Sequence, residues 1–115
     1  MSSSTSRAFN SSGKAALKWV GATKNDVLQK NPGSKGQKVL AGIENVESQA
    51  EKKYGSKASY IQIQGSKLHK SSKDPNEKLD VVTVSIHTEK GTRLESDHVR
   101  EDGTSTQKTT RSGGK

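Results

Sequence analysis

The apolar residues of this chain change their spacing once, and that switch limits the folds open to it. Val39, Ile43, Val46, Ala50 and Tyr54 recur at the spacing of one helical face, with Leu40 and Glu47 along its border. From Ser59 the period becomes two. Ile61 and Ile63 take one side of a strand, and Tyr60, Gln62 and Gln64 the other. Leu79–Thr88 alternates again, with Val82, Val84 and Ile86 inward and Val81, Thr83, Ser85 and His87 outward. Helices first and an antiparallel meander afterwards is the α+β pattern.

Local signals mark the ends of these elements. Lys52 and Lys53 suit the negative end of the helix dipole, and Gly55 supplies a left-handed stop. Ser34 and Gln37 form a capping pair at the start of the same helix. Upstream, Ala16, Val20, Thr23 and Val27 fall at helical spacing, and Gly21 interrupts them. Thr23 and Asp26 read as a capping box. The expectation is two short helices, about 14–22 and 24–30, or one bent helix, stopped by Asn31-Pro32-Gly33. Downstream, Glu89-Lys90-Gly91 reads as a hairpin turn into a third strand over 92–101. Leu94 and Val99 would point to opposite faces of a regular strand there, so a bulge, an edge position or early fraying is required.

The expected fold is therefore two or three N-terminal helices packed on a small three-stranded antiparallel sheet. Its core would be Val39, Leu40, Ile43, Val46, Ile61, Ile63, Val82, Val84 and Ile86. Only 26% of the 115 residues are apolar, so that core is small and part of the chain stands outside it. Residues 1–12 are Ser-rich and read as a flexible arm, 13–102 as the single domain, and 103–115 as a disordered basic tail.

The formal net charge is +8, placed unevenly. Residues 1–35 carry six basic residues against Asp26 alone, whereas 79–102 carry three against six acids. A basic chain attracts polyanions, and a positive surface equally keeps a small protein in solution. There is no cysteine, which removes disulfide and thiolate chemistry. No stretch has the length of a membrane span, and residues 1–10 lack the apolar run of a signal peptide. An intracellular protein, cytoplasmic or nuclear, is the expectation.

The spacing of the nucleophilic, histidine and glycine residues matches no catalytic or metal-binding signature. Gly-x-Ser-x-Gly does not occur, and Gly13-Lys14 is followed by Ala15 rather than Ser or Thr. His69, His87 and His98 match no zinc pattern. His87 and His98 lie on the two arms of the expected hairpin near Glu89, Glu95 and Asp97, but alternation places them on different faces. Glu95 and Asp97 share a face, which reads as a solvated edge. Trp19 beside Lys18 suits either an anchor for a partner or membrane surface, or packing against the core.

Two features suggest binding. Gly33-Ser34-Lys35-Gly36, between two helices and followed by Val39, Ile43, Gly55 and Ile61-Gln62-Ile63, resembles the Gly-x-x-Gly loop of KH domains. That resemblance spans about thirty residues and implies a loop clamped on nucleic-acid backbone, with Lys35 supplying charge. The chain departs from the family in a longer following helix, in Pro32 where an apolar residue stands, and in lacking a clear preceding strand. The other reading is that Gly33 caps one helix and Ser34 starts the next. The second feature is the Lys-rich segment Lys67, Lys70 and Lys73 beside Tyr60 and Gln62 on the outward face of the first strand. Aromatic stacking with phosphate contacts is how single-strand binders work, although one Tyr makes a thin platform and a solvated loop has the same composition.

The reading that results is a small basic, non-enzymatic binding module that contacts RNA or DNA through backbone charge, at Lys35, Tyr60, Gln62, Lys67, Lys70 and Lys73, with no cofactor and no metal. The alternative is a protein-interaction or structural adaptor that self-associates through its oppositely charged surfaces.

Overall fold

A computed structural model describes residues 17–71 and 74–110. In chain order it contains β1 (Lys18–Val20), α1 (Lys24–Lys30), α2 (Ser34–Tyr54), a 3-10 turn (Gly55–Lys57), β2 (Tyr60–His69), β3 (Val81–His87), β4 (Arg93–Arg100) and β5 (Ser105–Thr110). The strands form one sheet in the order β1-β2-β3-β4-β5. β1 runs parallel to β2, and the other neighbours are antiparallel. The fold is thus α+β, but with two helices on a five-stranded mixed sheet, which corrects the expected three-stranded antiparallel sheet at both of its edges.

The first correction lies at residues 17–20, which the helical stripe assigned to a helix. Leu17 is buried and Trp19 packs on the core, while Lys18 is exposed. That is a period of two, and it wins because the chain turns away at Gly21. Gly21 takes φ +94°, and a Cβ there would stand 2.5 Å from the carbonyl oxygen of Ile63. The helix begins only after the turn, at Lys24, and here the capping box is present. The Thr23 hydroxyl accepts from the Asp26 amide and the Asp26 carboxylate accepts from the Thr23 amide, both at 3.0 Å. These bonds hold the Asp26 carboxyl below the usual carboxylate range.

The second correction is β5, in the segment read as a disordered tail. Ser105–Thr110 has no apolar residue and is stabilised by polar contacts. The Arg100 guanidinium donates to the hydroxyls of Thr104 and Thr106, and Lys108 reaches Asp74 at 2.7 Å. Lys53 donates to Gln107 at 3.1 Å. An Asp102-capped turn feeds the strand, the Asp102 carboxylate accepting from both the amide and the hydroxyl of Thr104. Burial arguments alone cannot detect such an edge strand. Residues 1–16, 72–73 and 111–115, which include the expected Ser-rich arm and the end of the expected tail, lie outside the described residues.

Both helices pack on one face of the sheet. Val27, Val39, Ile43, Val46 and Ala50 meet Ile61, Ile63, Val82, Val84, Ile86 and Val99 there, and Leu40 packs at the margin. α2 approaches the sheet closely at Gly42, where a Cβ would stand 2.6 Å from Val99 Cγ1 and 2.7 Å from the Gly103 carbonyl. The conflict between Leu94 and Val99 resolves as a bulge. Ile86 faces Glu95 and His87 faces Arg93, so Leu94 is inserted between them and joins the same core cluster as Val99.

Candidate nucleic-acid interface

The sheet face away from the helices is polar, and the register orders it in rows. Lys18 pairs with Tyr60, Tyr60 with His87, and His87 with Arg93. Directly paired residues share a face, so four neighbouring strands present cation, aromatic, aromatic, cation in one line. At about 4.8 Å between strands the line is about 14 Å long. The two rings are stacked, with centroids 4.9 Å apart and planes 2° from parallel. Lys18 and Arg93 are exposed, and neither makes an ion pair with a described residue.

Side-chain and backbone bonds fix the imidazole. His87 Nε2 lies 2.8 Å from the Ser85 hydroxyl, and its Nδ1 lies 3.2 Å from the Gly91 carbonyl. Gln64 donates to Ser85 at 3.3 Å, extending the network one row further. The turn that joins β3 to β4 is closed by Thr88 and Thr92, the Thr88 amide donating to the Thr92 carbonyl at 2.9 Å. Behind that turn is a groove of about 450 Å³ lined by Ser56, Lys57, Thr88, Glu89, Lys90, Thr92 and Leu94.

The other end of the same face is closed by its own ion pairs. Residues 74–80 meet the outer side chains of β4 and β5. Glu77 accepts from Arg100 Nε at 2.8 Å, and Asp74 from Lys108 at 2.7 Å. The Lys108 bond holds the Asp74 carboxyl below its ordinary range. His98 is buried here, and burial together with Lys108 lowers its pKa. The bulge at Leu94 reverses the expected alternation, so His98, paired with Thr83, shares the outer face with His87. Thr83 and His87 are four residues apart on β3, about 13 Å, so the two imidazoles do not form one site.

The expected binding residues are dispersed by this fold. Tyr60 and Gln62 stand in adjacent rows of the outer face. Lys67 lies seven residues after Tyr60, within the break in the β2–β3 register between Gln64 and His69. Lys70 pairs with Asp80 at 3.1 Å. Lys35 sits in the first turn of α2 and pairs with Glu101 at 3.6 Å. Lys73 lies outside the described residues. The Gly33-Ser34-Lys35-Gly36 segment has structural duties: Gly33 is the N-cap of α2 at φ +85°, and a Cβ on Gly36 would overlap the Asn31 carbonyl. Lys18, His87 and Arg93 were missed. His87 and Tyr60 were both legible as outward-facing, but the strand register that stacks them was not.

The helix-facing side holds a second polar cluster. Glu95 and Asp97 share a face, as read, but that face is covered by α2 rather than solvated. Glu95 accepts from Lys53 and, at 2.6 Å, from the Tyr54 hydroxyl. Burial works to raise the Glu95 pKa, yet hydrogen bonds from Asp97, Lys53 and Tyr54 overcome it and hold the carboxyl below its ordinary value. Burial, then the hydrogen bond to Glu95 and its charge, push Asp97 up to about 8. Burial and Glu95 also raise the Tyr54 phenol. Trp19 Nε1 donates to Glu47 at 3.4 Å, so the indole packs inward. Among the described residues no group of three His, Asp or Glu side chains is placed to hold a metal ion, and no helix is long and apolar enough to cross a membrane.

No protein-family model matches this chain, and neither a curated protein nor a solved structure is similar to it.

Proposed function

We propose that the chain is a non-enzymatic binding module for single-stranded nucleic acid, which it takes across the open end of the outer sheet face. The observation that carries this reading is the Lys18–Tyr60–His87–Arg93 row. Two aromatic rings offer π-surface to unstacked bases, and the flanking cations stand where a backbone leaving those bases would pass. Gln62 and Gln64, in the next rows, supply donors and acceptors to base edges. A duplex hides the faces of its bases and would gain only the charge term. The proposal places the protein where RNA or DNA is found, in the cytoplasm or nucleus.

Fluorescence anisotropy with labelled single-stranded RNA, single-stranded DNA and a duplex tests it at low and near-physiological salt. Single strands are expected to stay bound at the higher salt and to outcompete the duplex. Equal binding of all three that disappears as salt rises would reduce the positive charge to a solubility feature and point to a protein partner.

A further inference from the structure

The groove behind the β3–β4 turn adjoins the aromatic row without belonging to it. Thr88, Glu89, Lys90 and Thr92 line it on the turn side, Ser56 and Lys57 on the side of the 3-10 turn, and Leu94 contributes an apolar, buried surface. The same turn supports the row: the Gly91 carbonyl lies against His87 Nδ1, and a Cβ on Gly91 would stand 3.8 Å from the Tyr60 hydroxyl. A strand leaving the rings therefore has one turn to cross before it reaches the groove.

The groove's volume of about 450 Å³ is within the range that holds a small planar ligand. Its chemistry is mixed in a specific way. Leu94 offers a surface for a ring face, and three hydroxyls offer adaptable hydrogen bonds. Lys57 and Lys90 are exposed, as phosphate contacts require. Glu89 is the carboxylate among the lining residues, and it makes no ion pair with a described residue. A carboxylate would repel a phosphate placed deep in the groove and would accept from a base. Two adjacent N–H donors suit its two oxygens, and among the common bases guanine carries such a pair on its Watson–Crick edge.

We infer that the groove is a nucleobase subsite selective for guanine, with Glu89 reading the base and Lys57 and Lys90 meeting the phosphates on either side. The inference rests on the single-strand reading above, because it supplies the nucleotide next to those on the rings.

The test is a titration of the isotope-labelled full chain with free guanosine 5′-monophosphate, and separately with the adenosine and cytidine monophosphates, followed by amide NMR shifts. Guanosine monophosphate is expected to shift Ser56, Lys57 and the Thr88–Thr92 turn saturably, at least about tenfold more tightly than the other two. Glu89→Gln should erase that preference, and Lys57→Ala with Lys90→Ala should weaken all three nucleotides. These side chains are exposed, so the variants should fold. Shifts that do not saturate, equal affinity for the three nucleotides, or a preference that survives Glu89→Gln would each overturn the subsite. Shifts at Ser56, Lys57 and Glu89 report on the groove and shifts at Lys18, Tyr60 and Arg93 on the row, so the two sites are read separately. An Arg93→Ala variant that loses oligonucleotide binding while guanosine monophosphate fails to bind removes the subsite and keeps the row. The reverse pattern keeps the subsite and removes the row.

Discussion

The two faces of the sheet handle charge in opposite ways. Toward the helices, Glu95 and Asp97 are buried, and Glu95 accepts from Lys53, from the Tyr54 hydroxyl and from Asp97, whose own Oδ1 finds no partner among the described residues. Away from the helices, the cations Lys18 and Arg93 at the open end flank the aromatic rings and make no ion pair with a described residue, while Arg100 and Lys108 at the closed end are engaged by Glu77 and Asp74. Formal charge is therefore a poor guide to where a polyanion would dock. What matters is which cations the fold has already neutralised.

That contrast predicts a separation of effects, and the largest belongs to the buried side. Glu95→Ala removes the shared acceptor of Lys53, Tyr54 and Asp97 and should cost about 3 kcal/mol in urea denaturation, with nucleic-acid affinity unchanged once the protein is folded. A loss of affinity in that variant would break the division between the faces. On the outer side, Tyr60→Ala should weaken single-strand binding by about 1–3 kcal/mol, the worth of one stacked base, and leave the affinity for duplex nearly as it was. An equal loss for duplex and single strand would mean that the ring merely supports the face.

The buried acids give a pH signature. Asp97 keeps its proton in the fold up to about pH 8, whereas an unfolded Asp loses it near pH 4. The folded state thus binds more protons between those values, and this group's contribution to stability falls as pH rises through the window and levels off above it. Asp97→Asn mimics the protonated acid and can still donate to Glu95. Its melting temperature relative to the native protein should rise by roughly several degrees between pH 5 and pH 8. A difference that stays constant over this range would show that Asp97 is ionised in the fold. Smallest of all, Lys70→Ala should change stability by less than about 0.5 kcal/mol, because its pair with Asp80 is largely exposed. It should also leave binding untouched, since Lys70 is remote from the row.

The parts of this architecture that the sequence made legible are those in which burial and periodicity agree. Helix α2 was read within a residue of its bounds, β3 followed from alternation, and β4 followed from the hairpin turn before it. Each of the core residues named from the sequence packs in the observed core. What could not be read depends on relations between distant segments. β1 is three residues long, and its alternation is overlaid by a helical coincidence that Gly21 cuts short. β5 has no apolar signal and is held by Arg100, Asp74 and backbone pairing. The bulge at Leu94 inverts every facing assignment after it, which is why His98 and Glu95 were misplaced. The candidate site was half visible for the same reason. Tyr60 and Gln62 stood out by their strand, while Lys18, His87 and Arg93 join them only through register.

The central claim is that the open end of the outer face, and not the net charge, takes the nucleic acid. The most direct test compares two double variants of equal charge change, Lys18→Glu with Arg93→Glu on the row and Lys30→Glu with Lys38→Glu on the helices, by anisotropy with single-stranded RNA at near-physiological salt. The row variant is predicted to lose affinity by about tenfold to a hundredfold, and the helix variant by no more than about twofold, since only long-range steering changes. Equal losses in the two variants would contradict the account and return the binding to undirected charge.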